Sequence, residues 1–394
     1  MLVPPPPLMT SDPGSFARQT IVKRKPEIIR RVIGDNAYPP DIVADLLTLS
    51  AEITRGDGPG TPVQPLHEAE GDAAFWNRHW ALYEGRTWLE LPWYFAETYF
   101  YRRLLEAVRY FRPGPWQDHD PFGSQKRAQE ASAVTQVAEA WPQIETTPID
   151  DRFAPLLHAC LWGNRADLSN LTVRESAVGD PAADVANILI DDTGAVASLL
   201  ATGVDEVAFI NDNVGADSLF DLILADHLLS TGRTRQVTFH LKNHPFFVSD
   251  AMPSDVRHML VRLGASEVAG LARLGARLDA ALSAGLLVLA TDPFWTRCLT
   301  FVELPDPLRA QLARAGLTFL KGDVNYRRLL DDRRWPPTTP LDAITAYFPR
   351  PFLILRTLKG EIIAGLPEGV AESLAVTDPA WQINGKRGLI QLVS

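Results

Sequence analysis

Residues 204–230, VDEVAFINDNVGADSLFDLILADHLLS, change from apolar to polar and then to amphipathic. Val204, Val207, Ala208, Phe209 and Ile210 form a short apolar run, the pattern of a strand covered on both faces of a parallel sheet. The run stops at Asn211, Asp212 and Asn213. Beyond Gly215, Leu219, Leu222, Ile223, Leu228 and Leu229 recur at helical spacing. The stretch predicts strand, polar turn and helix, with the turn at the edge where open α/β sheets bind ligands. The triplet also suits a plain turn with a helix cap, because Asn and Asp side chains bond their own backbone.

Comparable apolar runs occur at 236–242, 286–290, 317–323 and 352–357, with a weaker one at 188–190. Helical patterns fall between them at 253–263, 266–283, 307–315 and 341–347. Such alternation predicts a mostly parallel sheet covered by helices, a three-layer α/β/α domain over residues 185–394. Residues 16–184 lack strand patterning and predict an all-helical N-terminal domain. Its aromatic-rich stretch ELPWYFAETYFYRRLLE sets Glu97, Tyr101 and Arg103 close to one helical face. A helix ending at Gly163 leaves Asn164 and Asp167 in a polar turn. The opening MLVPPPPLMTSDPGS, residues 1–15, predicts a disordered tail, and RGDGPGTPVQP a loop.

Hydrophobic content of 46% and charged content of 22% describe an ordinary globular protein. A net charge of −10 argues against a broad nucleic-acid footprint. Cys160 and Cys298 are too few and too far apart for a disulfide framework or zinc site, which fits a reducing cytoplasm. There is neither a charged leader nor an apolar span, so no membrane role is expected.

Four predicted strands end in polar residues that would line one edge of a doubly wound sheet. Asp212, Asn213, Asp250, Asp323, Asn325, Arg356 and Lys359 would then share one cleft. Two carboxylates and a side-chain amide form a hard oxygen set suited to Mg²⁺ or Mn²⁺. Such an ion would bind a phosphoryl oxygen and supply the nucleophilic water, leaving the phosphate to Lys321, Arg356 or Lys359. His240 and His244 stand four apart but straddle a strand end, so a structural role is expected.

The phrases LPWYFAETYFYRR, LWGNRADLS, INDNVGADSLFDLILADHLL, FVSD, LKGDVNYRRL and LRTLK together resemble the metal-dependent damage-control phosphatases. Arg356-Thr357-x-Lys359 matches their acidic residue methyltransferase and sugar-phosphate phosphatase branch. The resemblance implies a divalent metal on Asp212, Asn213 and Asp250, Mn²⁺ or Mg²⁺ with Co²⁺ or Ni²⁺ as alternatives. It also implies substrate contacts from Gly322, Asp323, Val324, Asn325, Tyr326 and Lys359; Arg356 at its strand end, Glu97 on its helical face and Asn164 in its polar turn are further candidates from their positions alone. The implied substrate is a small-molecule phosphate ester such as fructose 1-phosphate or fructose 6-phosphate. S-adenosylmethionine-dependent carboxyl methylation and non-catalytic sugar-phosphate binding are the competing functions. Where the family carries a bulky residue and Glu, this chain has Ala216 and Asp217. If Asp217 faces the cleft, a sugar hydroxyl contact is lost, and Asp217→Glu is expected to raise fructose phosphatase activity; otherwise Asp217 caps the helix.

Overall fold

The computed structural model describes residues 2–54, 61–163 and 185–394. Its sheet has seven strands in the order β1-β7-β6-β5-β2-β3-β4. They are β1 (Ile188–Asp191), β2 (Val204–Ile210), β3 (Thr234–Leu241), β4 (Leu287–Thr291), β5 (Leu317–Lys321), β6 (Phe352–Thr357) and β7 (Gly388–Val393). Five run parallel, while β7 pairs antiparallel with β6 and carries β1 on its far side.

The central strand explains its own sequence. Val207 and Phe209 enter one hydrophobic core, while Ala208 and Ile210 enter another on the opposite face. Successive residues of a strand point to opposite faces, so a strand between two cores is apolar throughout rather than alternating. Register aligns Phe209 with Phe239 and Phe319, and the Phe209 and Phe319 rings stack at 4.4 Å. A third core, rich in aromatic residues, joins the helices Lys25–Asp35, Pro40–Thr54 and Trp93–Ala107 to Phe246, Phe247 and Val248.

Three expectations are corrected. First, packing ignores a boundary near residue 184. The helices Gly123–Thr146 and Phe153–Trp162 place Val137, Trp141, Phe153, Leu156, Leu157 and Leu161 in the core of the sheet. Trp141 seats on Gly270, where a Cβ would lie 1.9 Å from its Nε1. Second, the proline-rich opening is an ordered strap. Leu8 N–H donates to Asp332 O at 3.1 Å, Trp93 N–H donates to Leu8 O at 2.8 Å, and Thr10 Oγ1 donates to Trp88 O at 2.8 Å. Prolines favour extended backbone, and the buried Leu8 and Thr10 anchor it. Third, β7 lies beyond the predicted strands. Its run GLIQLV is apolar, but it returns antiparallel and so escapes a strand-helix-strand pattern.

The topology positions the site. From β2 the chain winds outward through β3 to β4, then crosses back to place β5 on the other side of β2. The crevice between the carboxyl ends of β2 and β5 is a topological switch point, where such sheets bind ligands.

Candidate functional site

Two segments are zipped together at the switch point. Val214 N–H donates to Ser249 O and Ala251 N–H to Asp212 O, each at 2.8 Å, so Asn213 and Asp250 pair as an antiparallel bridge. This brings together Asp212, Asn213 and Asp250 although 37 positions separate the last two. Asp212 and Asp250 are 4% and 1% exposed. The Asn213 amide donates from Nδ2 to Asp212 Oδ2 at 2.8 Å, and its Oδ1 accepts from Ser249 Oγ at 2.6 Å. Lys242 ion-pairs with Asp250 at 3.1 Å and donates to Asn211 O.

β5 delivers the opposite wall. Gly322 holds φ +79°, and a Cβ there would lie 1.8 Å from Asp212 Oδ2, so the Asp212 carboxylate occupies space that only glycine leaves open. Asn325 Nδ2 donates to Ile210 O and Lys321 O, sewing the ends of β2 and β5 together. Its Oδ1 is buried without a hydrogen-bond partner among the described residues. Asn325 thus secures the backbone as well as lining the region assigned to substrate.

The structure turns Lys321 away from the phosphate role expected of it. It is fully buried behind the turn, ion-paired with Asp217 at 2.9 Å and Asp221 at 2.6 Å, and donates to Cys160 O at 2.7 Å. Burial alone would lower its pKa, but the two carboxylates hold it above the usual value. Burial pushes the Asp221 carboxyl up to about 6 against the pull of Lys321. Asp217 is likewise turned inward, accepting from Asn213 N–H at 3.2 Å and Nδ2 at 3.3 Å. It caps the turn and orients Asn213, the capping role that the sequence left open beside a cleft-facing one.

Around this turn, among the described residues, four carboxylates, Asp212, Asp217, Asp221 and Asp250, gather with two ammonium groups, Lys242 and Lys321. With oxygen-only donors and the glycine cradle beneath Asp212, the residues fit a hard divalent metal.

Beyond the turn, Arg356 grips Asp323 Oδ1 through Nη2 at 2.7 Å, stacks on Tyr326 at 4.1 Å, and donates to Ile362 O and Gly360 O. Its fork is committed to shaping the 357–362 turn rather than to a phosphate. Lys359 lies on that turn, beside a cavity of about 40 Å³ also lined by Asp323, Val324, Glu97 and Tyr101. Glu97 ion-pairs with Lys25 at 2.9 Å and with Arg327, which in turn pairs with Asp332 at 2.7 Å and covers Trp93 at 3.5 Å. Arg103 goes elsewhere, to Glu52. Asn164, like Asp167, lies outside the described residues.

Sequence reasoning missed Lys25, Lys242, Asp221, Ser249 and Arg327. A lysine closing the buried run QVTFHLK was a readable signal for Lys242; the others needed the fold. His240 packs on Trp295 and burial lowers its pKa to about 4, while His244 sits near Asp72 and Phe111. Among the described residues no group of three or more His, Cys, Asp or Glu is arranged to hold a metal, and the set above relies on an asparagine. Larger clefts lie between the helices Pro253–Gly264 and Ala269–Ser283 and beside Arg350 and Ser394, and neither reaches the carboxyl ends of β2 and β5.

A family model described as the damage-control phosphatase ARMT1-like domain matches residues 20–374. Proteins named damage-control phosphatase ARMT1 are 31% identical over 434 residues in Mus musculus, covering 98% of this chain and 97% of the relative. In Homo sapiens the figure is 30% over 443 residues, covering 99% of each. The crystal structure of a DUF89 family protein from Pyrococcus horikoshii aligns with a TM-score of 0.51 at 14% identity, over 96% of this chain and 98% of that one, a likeness of fold.

Proposed function

This chain belongs to the damage-control phosphatase ARMT1-like family, and we propose that it is a divalent-metal-dependent hydrolase of small phosphomonoesters. The observation that carries the reading is the zipped pair of segments at the switch point, which gathers Asp212, Asn213 and Asp250 at the carboxyl ends of β2 and β5. Mn²⁺ or Mg²⁺ suits those oxygens. When bound, such an ion supplies Lewis-acid polarisation of a phosphoryl oxygen and makes a water nucleophilic at neutral pH.

The chain's own residues do the remaining work. Lys359 offers a point charge to the phosphate, and the N-terminus of the helix Gly322–Leu329 presents unsatisfied N–H groups beside it. Arg356 fixes Asp323 in the same wall, and Asp323 Oδ2 lies against Gly360, where a Cβ would come within 3.1 Å. Asp323 is the candidate proton donor to the leaving alkoxide. The nearby aromatic and ion-paired walls suit a polar, compact leaving group, which supports a sugar phosphate of the fructose phosphate class.

A phosphomonoester panel with Mn²⁺ and Mg²⁺, with and without chelator, tests the reading. Phosphate release that stops with chelator, in Asp212→Ala and in Asp250→Ala is expected. Lys359→Met should lower kcat/KM roughly ten- to a hundredfold while keeping metal affinity. Release untouched by chelator, or none from any ester, would refute the proposal; methyl transfer from S-adenosylmethionine would replace it.

A further inference from the structure

A buried lysine reaches the candidate donor set. Lys242 closes the run QVTFHLK, one position past β3, and is 1% exposed. Its backbone N–H donates to Ala251 O at 3.0 Å, and Ala251 N–H donates in turn to Asp212 O at 2.8 Å. Its Nζ donates to Asn211 O at 3.2 Å. The same ammonium stands 3.1 Å from Asp250 Oδ2, an ion pair without the alignment of a hydrogen bond. Lys242 thus joins the end of β2 to the segment that carries Asp250.

Fastening these segments does not account for the charge. A neutral amide would serve Asn211 O as well, whereas an ammonium so deeply buried is costly unless a carboxylate compensates it. The carboxylate is that of Asp250, a candidate metal ligand. Neighbouring groups also orient the other two donors. Asn213 Nδ2 donates to Asp212 Oδ2 at 2.8 Å, Ser249 Oγ donates to Asn213 Oδ1 at 2.6 Å, and Gly322 leaves the space that the Asp212 carboxylate fills. A donor set held in this way adapts little to the size of the ion it meets.

Like charges repel less as they separate, so a cation at Asp250 is driven from Oδ2, beside the ammonium, toward the other side of the carboxylate. Whatever else Asp250 meets, it can then give that cation at most one oxygen. Ca²⁺ takes about six to eight oxygens and readily draws both from a single carboxylate, whereas Mg²⁺ and Mn²⁺ fill an octahedron from single oxygens and waters. We propose that Lys242 sets the ion selectivity of the site, confining Asp250 to one oxygen and so admitting Mn²⁺ or Mg²⁺ in preference to Ca²⁺. It acts through Asp250, as a positioning residue rather than a ligand. The ion comes from the metal-dependent reading above, on which this role rests; the placement of the lysine comes from the contacts described.

The test is calorimetric titration of MnCl₂ and of CaCl₂ into the full-length, chelator-treated protein, for wild type, Lys242→Met and Lys242→Gln. Wild type is expected to bind Mn²⁺ roughly a hundredfold more tightly than Ca²⁺, and both variants to narrow that gap to roughly tenfold or less. Glutamine keeps an N–H donor for Asn211 O and drops the charge, so it separates fastening from selectivity. An Mn²⁺ to Ca²⁺ ratio equal in all three proteins overturns the proposal, however far Tm falls. A ratio that moves in Lys242→Met but not in Lys242→Gln overturns it as well, by making the lysine a fastener. If neither variant folds, wild type decides: Ca²⁺ bound as tightly as Mn²⁺ sinks the idea. Phosphate release measured on the same proteins separates it from the reaction. Release with an unchanged ratio removes the role of Lys242 and spares the hydrolase; a ratio that follows Lys242 without release from any ester does the reverse. Wild type that binds no Mn²⁺ removes both.

Discussion

At Asp217 a single methylene decides between two roles. The shorter carboxylate fits under the turn, where it accepts from Asn213 N–H and Nδ2 and pairs with Lys321, every contact within 3.3 Å. A glutamate would extend the group by about one C–C bond, roughly 1.5 Å, into a site that is 1% exposed. The added atom must displace Asn213 or Lys321, since packed interiors resist even one methylene. Asp217→Glu is therefore expected to weaken Mn²⁺ binding and to lower kcat/KM on fructose 1-phosphate, the opposite of what the family comparison of side chains alone suggests. Higher activity in that variant would show that the longer carboxylate turns outward to meet substrate after all.

Between elements, the decisive contact is the ionic link from the helix Trp93–Ala107 to the helix Gly322–Leu329. Glu97 on the first bonds Arg327 on the second and Lys25 on a third. Burial alone would raise the Glu97 carboxyl, but Lys25 and Arg327 outweigh it and hold it down to about 2. A carboxyl held below its ordinary value of 4.5 stabilises the folded state above about pH 4.5 and loses that contribution as pH falls toward about 2. The shift corresponds to something on the order of 3 kcal/mol at neutral pH. Urea midpoints of wild type and Glu97→Gln should differ at pH 7 and converge between pH 4.5 and 2. A difference that stays constant with pH would mean the contribution is not electrostatic. The sequence placed Glu97 on a face with Tyr101 and Arg103, but helical spacing says nothing about which partners another helix brings, and Arg103 turned to Glu52 instead.

Taken whole, the molecule does not divide where composition changes character. The helices Gly123–Thr146 and Phe153–Trp162 bury Val137, Trp141, Phe153, Leu156, Leu157 and Leu161 against the sheet. At roughly 1.5–3 kcal/mol for each large apolar side chain, removing them costs as much as the whole stability of a typical domain. A fragment of residues 185–394 should therefore lack a cooperative melting transition and bind dyes that recognise exposed apolar surface, whereas one beginning near residue 120 should recover a transition. Cooperative folding of the shorter fragment would restore the boundary near 184.

Side-chain periodicity and turn chemistry are local, so the period of each segment and the polar residues at each strand end could be read directly from the chain. These are enough for the parallel α/β/α architecture and the central strand with Asp212 and Asn213 at its end, whereas the choice of Asp250 as their partner came from the family resemblance. Tertiary structure alone decided the directions. Whether Lys321 meets a phosphate or Asp217 and Asp221, and whether Asp217 faces a sugar or Asn213, depends on packing across β2 and β5, which no local pattern encodes. The same holds for the strap. Prolines set an extended backbone at residues 4–7, but only the surfaces around Trp93 and Asp332, brought together from distant parts of the chain, could fasten that backbone and the helix after it into a wall of the pocket.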